Sequence, residues 1–286
     1  MKNLQNLLDY ITRELARVYG PEEASAIARM LVEHELGWNR TQISLRKKEL
    51  IQPEIWQKFT AYLSRLQNQE PVQYITRQAY FYELELEVSP AVLIPRPETE
   101  VLVQRIIRDN QANLNLQILD IGTGSGCIAL ALSKNLKLAQ VYGLDVSGAA
   151  LAVAYRNAQK LELSMQWLHH DIFAPNLPLP KQSLDLIVSN PPYVLESEKS
   201  FMRRNVLDFE PHLALFVPDA EALRYYQQIA EVAQQLLKPA GKIYFEVNEQ
   251  FATAVTNLLQ QHHFTSVQPL KDLFGKDRFV TGTYAG

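Results

Sequence analysis

The chain has 286 residues, 47% of them hydrophobic and 21% charged, which is the balance of a globular protein and excludes a disordered or fibrous one. A formal charge of −3 argues against a protein built mainly to grip a phosphate backbone. A single cysteine, Cys127, leaves no partner for an internal disulfide, and the charged, polar start lacks both a signal-peptide core and a membrane-spanning length, so a cytoplasmic protein is expected.

The first 70 residues or so predict a small helical bundle. Leu4, Leu7, Leu8, Ile11, Leu15 and Val18 recur at helical spacing, Gly20-Pro21 stops one helix and starts the next, and residues 22–36 repeat the pattern. A third helix is expected from Pro53, with Ile55, Trp56, Phe59, Leu63 and Leu66 on one face. His34 and the run Arg46-Lys47-Lys48 read as surface groups. The stretch "AYFYELELEVSPAVLI" then alternates apolar and charged residues with period two, a hairpin with one wet face. In "PRPETEVLVQRII", Pro97 and Glu98 suit the first turn of a helix that buries Val101, Leu102 and Ile106.

From Leu116 onward short apolar runs alternate with helical ones, the pattern of a parallel α/β sheet of about seven strands, with closing strands near "SVQPL" and "RFVTGTY". The expected domains are therefore 1–74 (helical), 75–94 (hairpin linker) and 95–286 (sheet). Ligands of such sheets sit at the carboxyl ends of the strands.

One of those ends carries "DIGTGSG", where Gly122, Gly124 and Gly126 allow a tight turn and close approach of backbone to a ligand. The G-x-G-x-G spacing is shorter than the dinucleotide pattern. Asp145 closes the next apolar run, nineteen residues after Gly126, where a carboxylate can accept from both hydroxyls of a ribose. Together these favour an adenosine cofactor, NAD and S-adenosylmethionine both fitting. At the following strand end Asp171 is placed to reach an adenine amino group and Ile172 or Phe173 to cover the ring, while His169 and His170 read as structural. No cluster has metal-ligand spacing.

"SNPPYV" ends the fourth strand. The Asn190 side-chain oxygen accepts hydrogen bonds, Pro191 removes a ladder donor and frees a carbonyl, and Tyr193 offers a flat face to a planar group. Two acceptors converging on an NH2 group orient it for in-line attack on a methyl sulfonium and favour charge build-up on nitrogen, with no strong base required. A dehydrogenase is disfavoured, and a non-catalytic adenosine-binding module is the reading of a different class.

These residues resemble the class I S-adenosylmethionine-dependent methyltransferases and, more closely, the HemK family of protein-(glutamine-N(5)) methyltransferases of peptide chain release factors. The resemblance rests on "EPVQYI", "VLIPRPETE", "LDIGTGSGCIALAL", "DVSGAALAVAYRNA" and "DLIVSNPPYV", in order along nearly the whole chain, "IPRPETE" being the most specific. It implies a Rossmann-like seven-stranded class I methyltransferase sheet behind a helical domain that helps to hold a release factor, and a monomer in the cytoplasm. It implies as substrate the glutamine of the Gly-Gly-Gln motif of class 1 release factors. It places Gly122, Thr123, Gly124, Ser125 and Gly126 along the methionine part of S-adenosylmethionine, Asp145 on the ribose, Asp171 and Ile172 by the adenine, and Asn190, Pro191, Pro192 and Tyr193 around the glutamine amide. Arg96, Glu98 and Thr99 are further candidates, Arg96 and Glu98 on the substrate side to fix the loop over the cofactor or simply to cap a helix. A glutamine methyltransferase for a ribosomal protein, or an amino-methyltransferase for RNA or DNA, shares the same motifs. The chain departs from the family where Arg77 and Glu83 replace usual glycines in the hairpin, where Gly148 replaces the proline after "DVS", and where "EPHLALFVPDAEALRYY" lacks glycines.

Overall fold

The computed structural model describes residues 3–286, which divide into two compact units. The first unit holds residues up to Gln78 together with Arg203–Phe209. Helices α1 (Leu4–Tyr19) and α2 (Pro21–Leu36) meet at Gly20, whose φ of 77° suits a glycine. Then come α3 (Arg40–Leu45), α4 (Pro53–Gln67) and α5 (Val72–Thr76). The predicted apolar stripes close on one another: Leu4, Leu7, Ile11 and Leu15 pack with Ile27, Leu31, Phe59, Leu63 and Leu66 in one core. The reading missed α3 and α5. Each is under two turns long, too short for periodicity to show, and α3 is held instead by a capping box between Asn39 and Gln42.

The second unit begins at Ala79, within the first strand of a hairpin, β1 (Gln78–Phe81) and β2 (Leu84–Glu87), followed by α6 (Pro97–Asn110). The βα alternation then runs β3 (Gln117–Ile121), α7 (Cys127–Asn135), β4 (Gln140–Asp145), α8 (Gly148–Lys160), β5 (Gln166–His169) and β6 (Leu184–Ser189). A short excursion pairs β7 (Val194–Leu195) with β8 (Phe216–Val217), with α9 (Arg204–Leu207) between them in sequence. The chain closes with α10 (Arg224–Leu236), β9 (Leu237–Glu246), α11 (Ala252–Gln261), β10 (Phe264–Lys271) and β11 (Asp277–Tyr284). The sheet has seven strands in the order β10-β11-β9-β6-β3-β4-β5; β11 runs antiparallel to β9 and β10, and the other pairs are parallel.

Alternation along the central strands sorts the core into two layers. Leu119, Ile187, Ile243 and Phe245 face α10 and α11, whereas Ile118, Leu186, Val188 and Tyr244 face α6 and α7. The hairpin, expected as a linker, clusters with the sheet, and the sequence explains how. The fully buried Asn157 of α8 accepts from Glu87 N at 2.6 Å and donates to both Glu87 O and Ser125 O, while Glu87 and Glu85 pair with Arg156 and Lys160 of the same helix. One amide thus ties the hairpin to the glycine loop. Arg77 and Glu83, the departures from usual glycines, take φ of 56° and 61°, the left-handed region where a glycine carries no penalty.

Candidate active site

The ends of four parallel strands, β3, β4, β5 and β6, converge on a cavity of about 370 Å³. The turn after β3 is built for close approach: Gly122 and Gly124 have φ of 73° and 54°, and a Cβ on either would meet nothing within 4 Å. Gly126, with φ of 81°, caps α7 and does not line the cavity; a Cβ there would crowd Leu130, Ala154 and Trp167 at 3.1–3.2 Å. The turn is held from below by Asp120, whose Oδ2 accepts from Thr123 Oγ1 at 2.7 Å and from Ala129 N at 3.3 Å. Burial pushes the Asp120 carboxyl up from 3.8 to about 7.

Asp145 ends β4 and lines the cavity. Gly124 N donates to its Oδ2 and Ser147 N to its Oδ1, both at 2.9 Å, so the carboxylate braces the glycine loop while leaving further lone pairs toward the cavity. Burial raises its pKa against those backbone donors. After β5, Asp171 accepts from Phe173 N at 2.9 Å in a local turn, and Ile172 is buried against the core below. His169 Nε2 meets Val146 O at 2.9 Å and His170 Nε2 meets Ala174 O at 3.3 Å, and His170 also lines the cavity.

Asn190, Pro191 and Pro192 line the same cavity at the end of β6, so the fold brings "GTGS", Asp145, Asp171, Ile172 and "NPP" together from four separated segments. Among the described residues no donor bonds the carbonyls of Asn190 or Pro191, as the proline pair implies. Tyr193 departs from expectation. It does not line the cavity; its ring packs against the core and its hydroxyl donates to Glu246 Oε1 at 3.1 Å, because β9 offers a buried acceptor there. Burial raises its pKa further from the neutral range, so it stays a phenol.

From the "IPRPETE" segment Arg96 and Thr99 line the cavity, and Glu98 does not; Glu98 stands in the first turn of α6, where an acid complements the helix end. Arg96 pairs with Glu210 at 2.6 Å, and Glu210, 1% exposed at its side chain, also accepts from Ile94 N at 3.2 Å. This acid fastens the segment to residues 210–214, of which Pro211, Leu213 and Ala214 form part of the cavity wall.

Sequence reasoning missed Glu246, Glu210, Arg224 and Tyr225. Glu246 carried one signal, a lone acid closing the apolar run "KIYFE". Its carboxylate, 1% exposed, accepts from Thr99 Oγ1 at 2.6 Å and from Tyr193; burial raises its pKa against those two bonds. Arg224 lies over the Phe173 and Tyr225 rings at 4.7 and 5.6 Å and all three line the cavity, an arrangement "EALRYYQQ" did not show. Burial lifts the thiol of Cys127, also in the lining, to about 12, so it stays protonated and is no nucleophile. A second hollow of about 470 Å³ lies among α6, Tyr82 and the β10–β11 strands. Its cations Arg105 and Lys271 are paired with Asp109 and Asp277, and it holds none of the motif residues, so chemistry rather than size selects the site.

The residues present suit an adenosine-type methyl donor. Ser125 Oγ lines the cavity, is buried, and has no hydrogen-bond partner among the described residues, an orphaned group that a polar atom of such a donor would satisfy. Among the described residues no helix is long and apolar enough to cross a membrane.

Comparison with known proteins agrees. The PrmC N-terminal domain matches residues 6–76, and the methyltransferase small domain matches residues 97–208. A release factor glutamine methyltransferase of Bacteroides thetaiotaomicron is 41% identical over 278 residues, 97% of this chain and 99% of that protein. One from Flavobacterium psychrophilum is 39% identical over 286 residues, 97% and 98% of the two chains. In fold, the chain resembles a methyltransferase structure from Pyrococcus furiosus, with a TM-score of 0.53 at 18% identity over 80% of this chain and all of that one. Sequence likeness along almost the whole length, the two domain matches and the sheet topology agree: the chain belongs to the release factor glutamine methyltransferase family.

Proposed function

We propose that this enzyme methylates the side-chain amide nitrogen of the glutamine in the Gly-Gly-Gln motif of class 1 peptide chain release factors, with S-adenosylmethionine as donor. The observation that carries the reading is that Asn190, on its rigid proline mount, lines the same cavity as the glycine turn and Asp145. S-adenosylmethionine supplies an electrophilic methyl on a sulfonium. Gly122, Thr123, Gly124 and Ser125 would hold its methionine part, Asp145 its ribose, and Asp171, Ile172 and the Phe173–Tyr225 pair its adenine.

The protein's own chemistry is positional. Asn190 Oδ1 and the free carbonyls beside it accept the two N–H bonds of the substrate amide, which fixes the nitrogen and favours charge build-up on it. Pro191 and Pro192 keep those acceptors from turning back into the sheet. Tyr193 supports the motif from behind through Glu246. The helical unit, matched to the PrmC N-terminal domain, would hold the release factor.

The test is transfer of labelled methyl from S-adenosylmethionine to purified release factors, with and without the Gly-Gly-Gln glutamine replaced by alanine. Label is expected in the glutamine form alone. Asn190→Ala should lower turnover about 100-fold or more with cofactor affinity retained. Asp145→Ala should weaken cofactor binding first. Equal labelling of the alanine form, or transfer to RNA instead, refutes the reading.

A further inference from the structure

We propose that Glu246 and Thr99 form a hydrogen-bond relay that sets which way the Asn190 amide faces, and so decides that Asn190 meets the substrate as an acceptor. The proposal rests on the preceding assignment of Asn190 to the substrate amide.

Three elements meet in the relay. Glu246 closes β9, Thr99 stands in the first turn of α6, and Asn190 follows β6. Thr99 is 2% exposed and Glu246 1%, so water does not substitute for their contacts. Thr99 Oγ1 lies 2.6 Å from Glu246 Oε2, Tyr193 OH lies 3.1 Å from Glu246 Oε1, and Asn190 Nδ2 lies 3.5 Å from Thr99 Oγ1. The last link is the longest, and the shorter two fix its polarity.

Ionised, the Glu246 carboxylate only accepts, and each of its oxygens receives one hydroxyl. Thr99 has a single proton, and the carboxylate takes it. Toward Asn190, Thr99 then presents lone pairs alone, which an NH2 group satisfies and a carbonyl oxygen does not. The amide therefore turns its Nδ2 to Thr99, and its Oδ1, free of that contact, is left to accept in the cavity that Asn190 lines. An amide and its flipped form have nearly the same shape, so packing alone selects weakly between them. With the amide reversed, a donor would face the substrate NH2, and neither N–H bond of the substrate would find this acceptor. Glu246 thus acts through two intervening groups and touches no reacting atom; it is a positioning residue.

Glu246→Gln separates polarity from shape. Its side-chain NH2 can donate to Thr99, which frees the hydroxyl proton to point at Asn190 and removes the preference. In the labelled-methyl assay with the full chain and a purified release factor, Glu246→Gln should lower kcat about tenfold or more, as loss of one preorganised polar contact does. The loss should fall on kcat far more than on KM for the release factor or on affinity for S-adenosylmethionine, because the orientation of a single amide at the reacting nitrogen is all that changes. Thr99→Val should reproduce the loss and Thr99→Ser, which keeps the hydroxyl, should restore most of the rate. In an Asn190→Ala background, Glu246→Gln should add nothing further, since its effect passes through Asn190.

Wild-type kcat in Glu246→Gln, or Thr99→Ser as slow as Thr99→Val, overturns the relay and leaves the function standing. Wild-type kcat in Asn190→Ala removes the assignment on which the relay rests. Should Glu246→Gln lose its thermal transition, the Thr99 pair decides.

Discussion

Replacing Asp120 by asparagine tests whether a charge buried under the glycine turn limits the stability of the fold. Asp120 has no exposed surface, and its Oδ1 has no hydrogen-bond partner among the described residues. Burial, the largest influence, raises its pKa from 3.8 to about 7, against the two bonds received by Oδ2. In the unfolded chain the carboxyl ionises near its ordinary value, about 3.9. Between those two values the unfolded state has lost a proton that the folded state keeps, so stability falls as pH rises through the window and levels off above about 8. At 1.36 kcal/mol per tenfold, the full shift corresponds to about 4 kcal/mol, and relaxation around the charge reduces this to about 2–4 kcal/mol. Asp120→Asn has nearly the same shape and cannot ionise. Its stability relative to the parent should therefore grow by about 2–4 kcal/mol between pH of about 4 and about 8. Asp145 and Glu246, also raised by burial, titrate in both proteins, so the difference between the two curves reports Asp120 together with its repulsion by the nearby Asp145 charge. Denaturant unfolding at a series of pH values, followed by far-ultraviolet circular dichroism, measures it. A difference that stays flat across the range would show that Asp120 carries its charge in the fold at no cost, and would refute the reasoning.

Two departures from the family pattern yield further expectations. Gly148 opens α8 after Ser147 at φ −91° and ψ 107°, an extended conformation compatible with a following proline, and a Cβ there meets nothing closer than His169 at 3.7 Å. Gly148→Pro should raise stability by about 0.5–1 kcal/mol by restricting the unfolded chain, read as a higher melting temperature. Tyr82 and Glu83 form a two-residue hairpin turn at φ of 44° and 61°. Glu83→Gly should relieve about 1 kcal/mol of left-handed strain, and a lower melting temperature would contradict that account. Glu210→Ala leaves Ile94 N without its acceptor and Arg96 without its partner. It should cost about 2 kcal/mol in thermal unfolding, the exposed part of Arg96 moderating the loss.

How the sequence announced its site differs from how it announced its fold. Apolar periodicity placed the long helices α1, α2, α4 and α6, and alternation with glycine and proline breaks placed the sheet strands, because both follow from local spacing. The short α3 and α5 lacked enough residues to show a period. The glycine turn, Asp145 and "NPP" were legible as cavity-lining groups because each needs special residue types at fixed distances along the chain. Arg224, Tyr225, Glu210 and Glu246 belong to no such string; each earns its place through partners more than 50 residues away in sequence or through a wall shared with remote segments.

The sequence by itself determined the fold class, the strand ends that line the cavity, and the residue types on which the proposed seat for an adenosine donor and an amide rests. The tertiary structure alone decided how those residues are aimed. It turned the Tyr193 hydroxyl away from the cavity to a buried carboxylate, and it joined the hairpin to the glycine turn through Asn157. It also set Thr99 between Asn190 and Glu246. Local spacing dictates which backbone a residue adopts, but the direction of a hydrogen bond depends on which group the fold brings opposite, and here those groups come from strands and helices far apart along the chain.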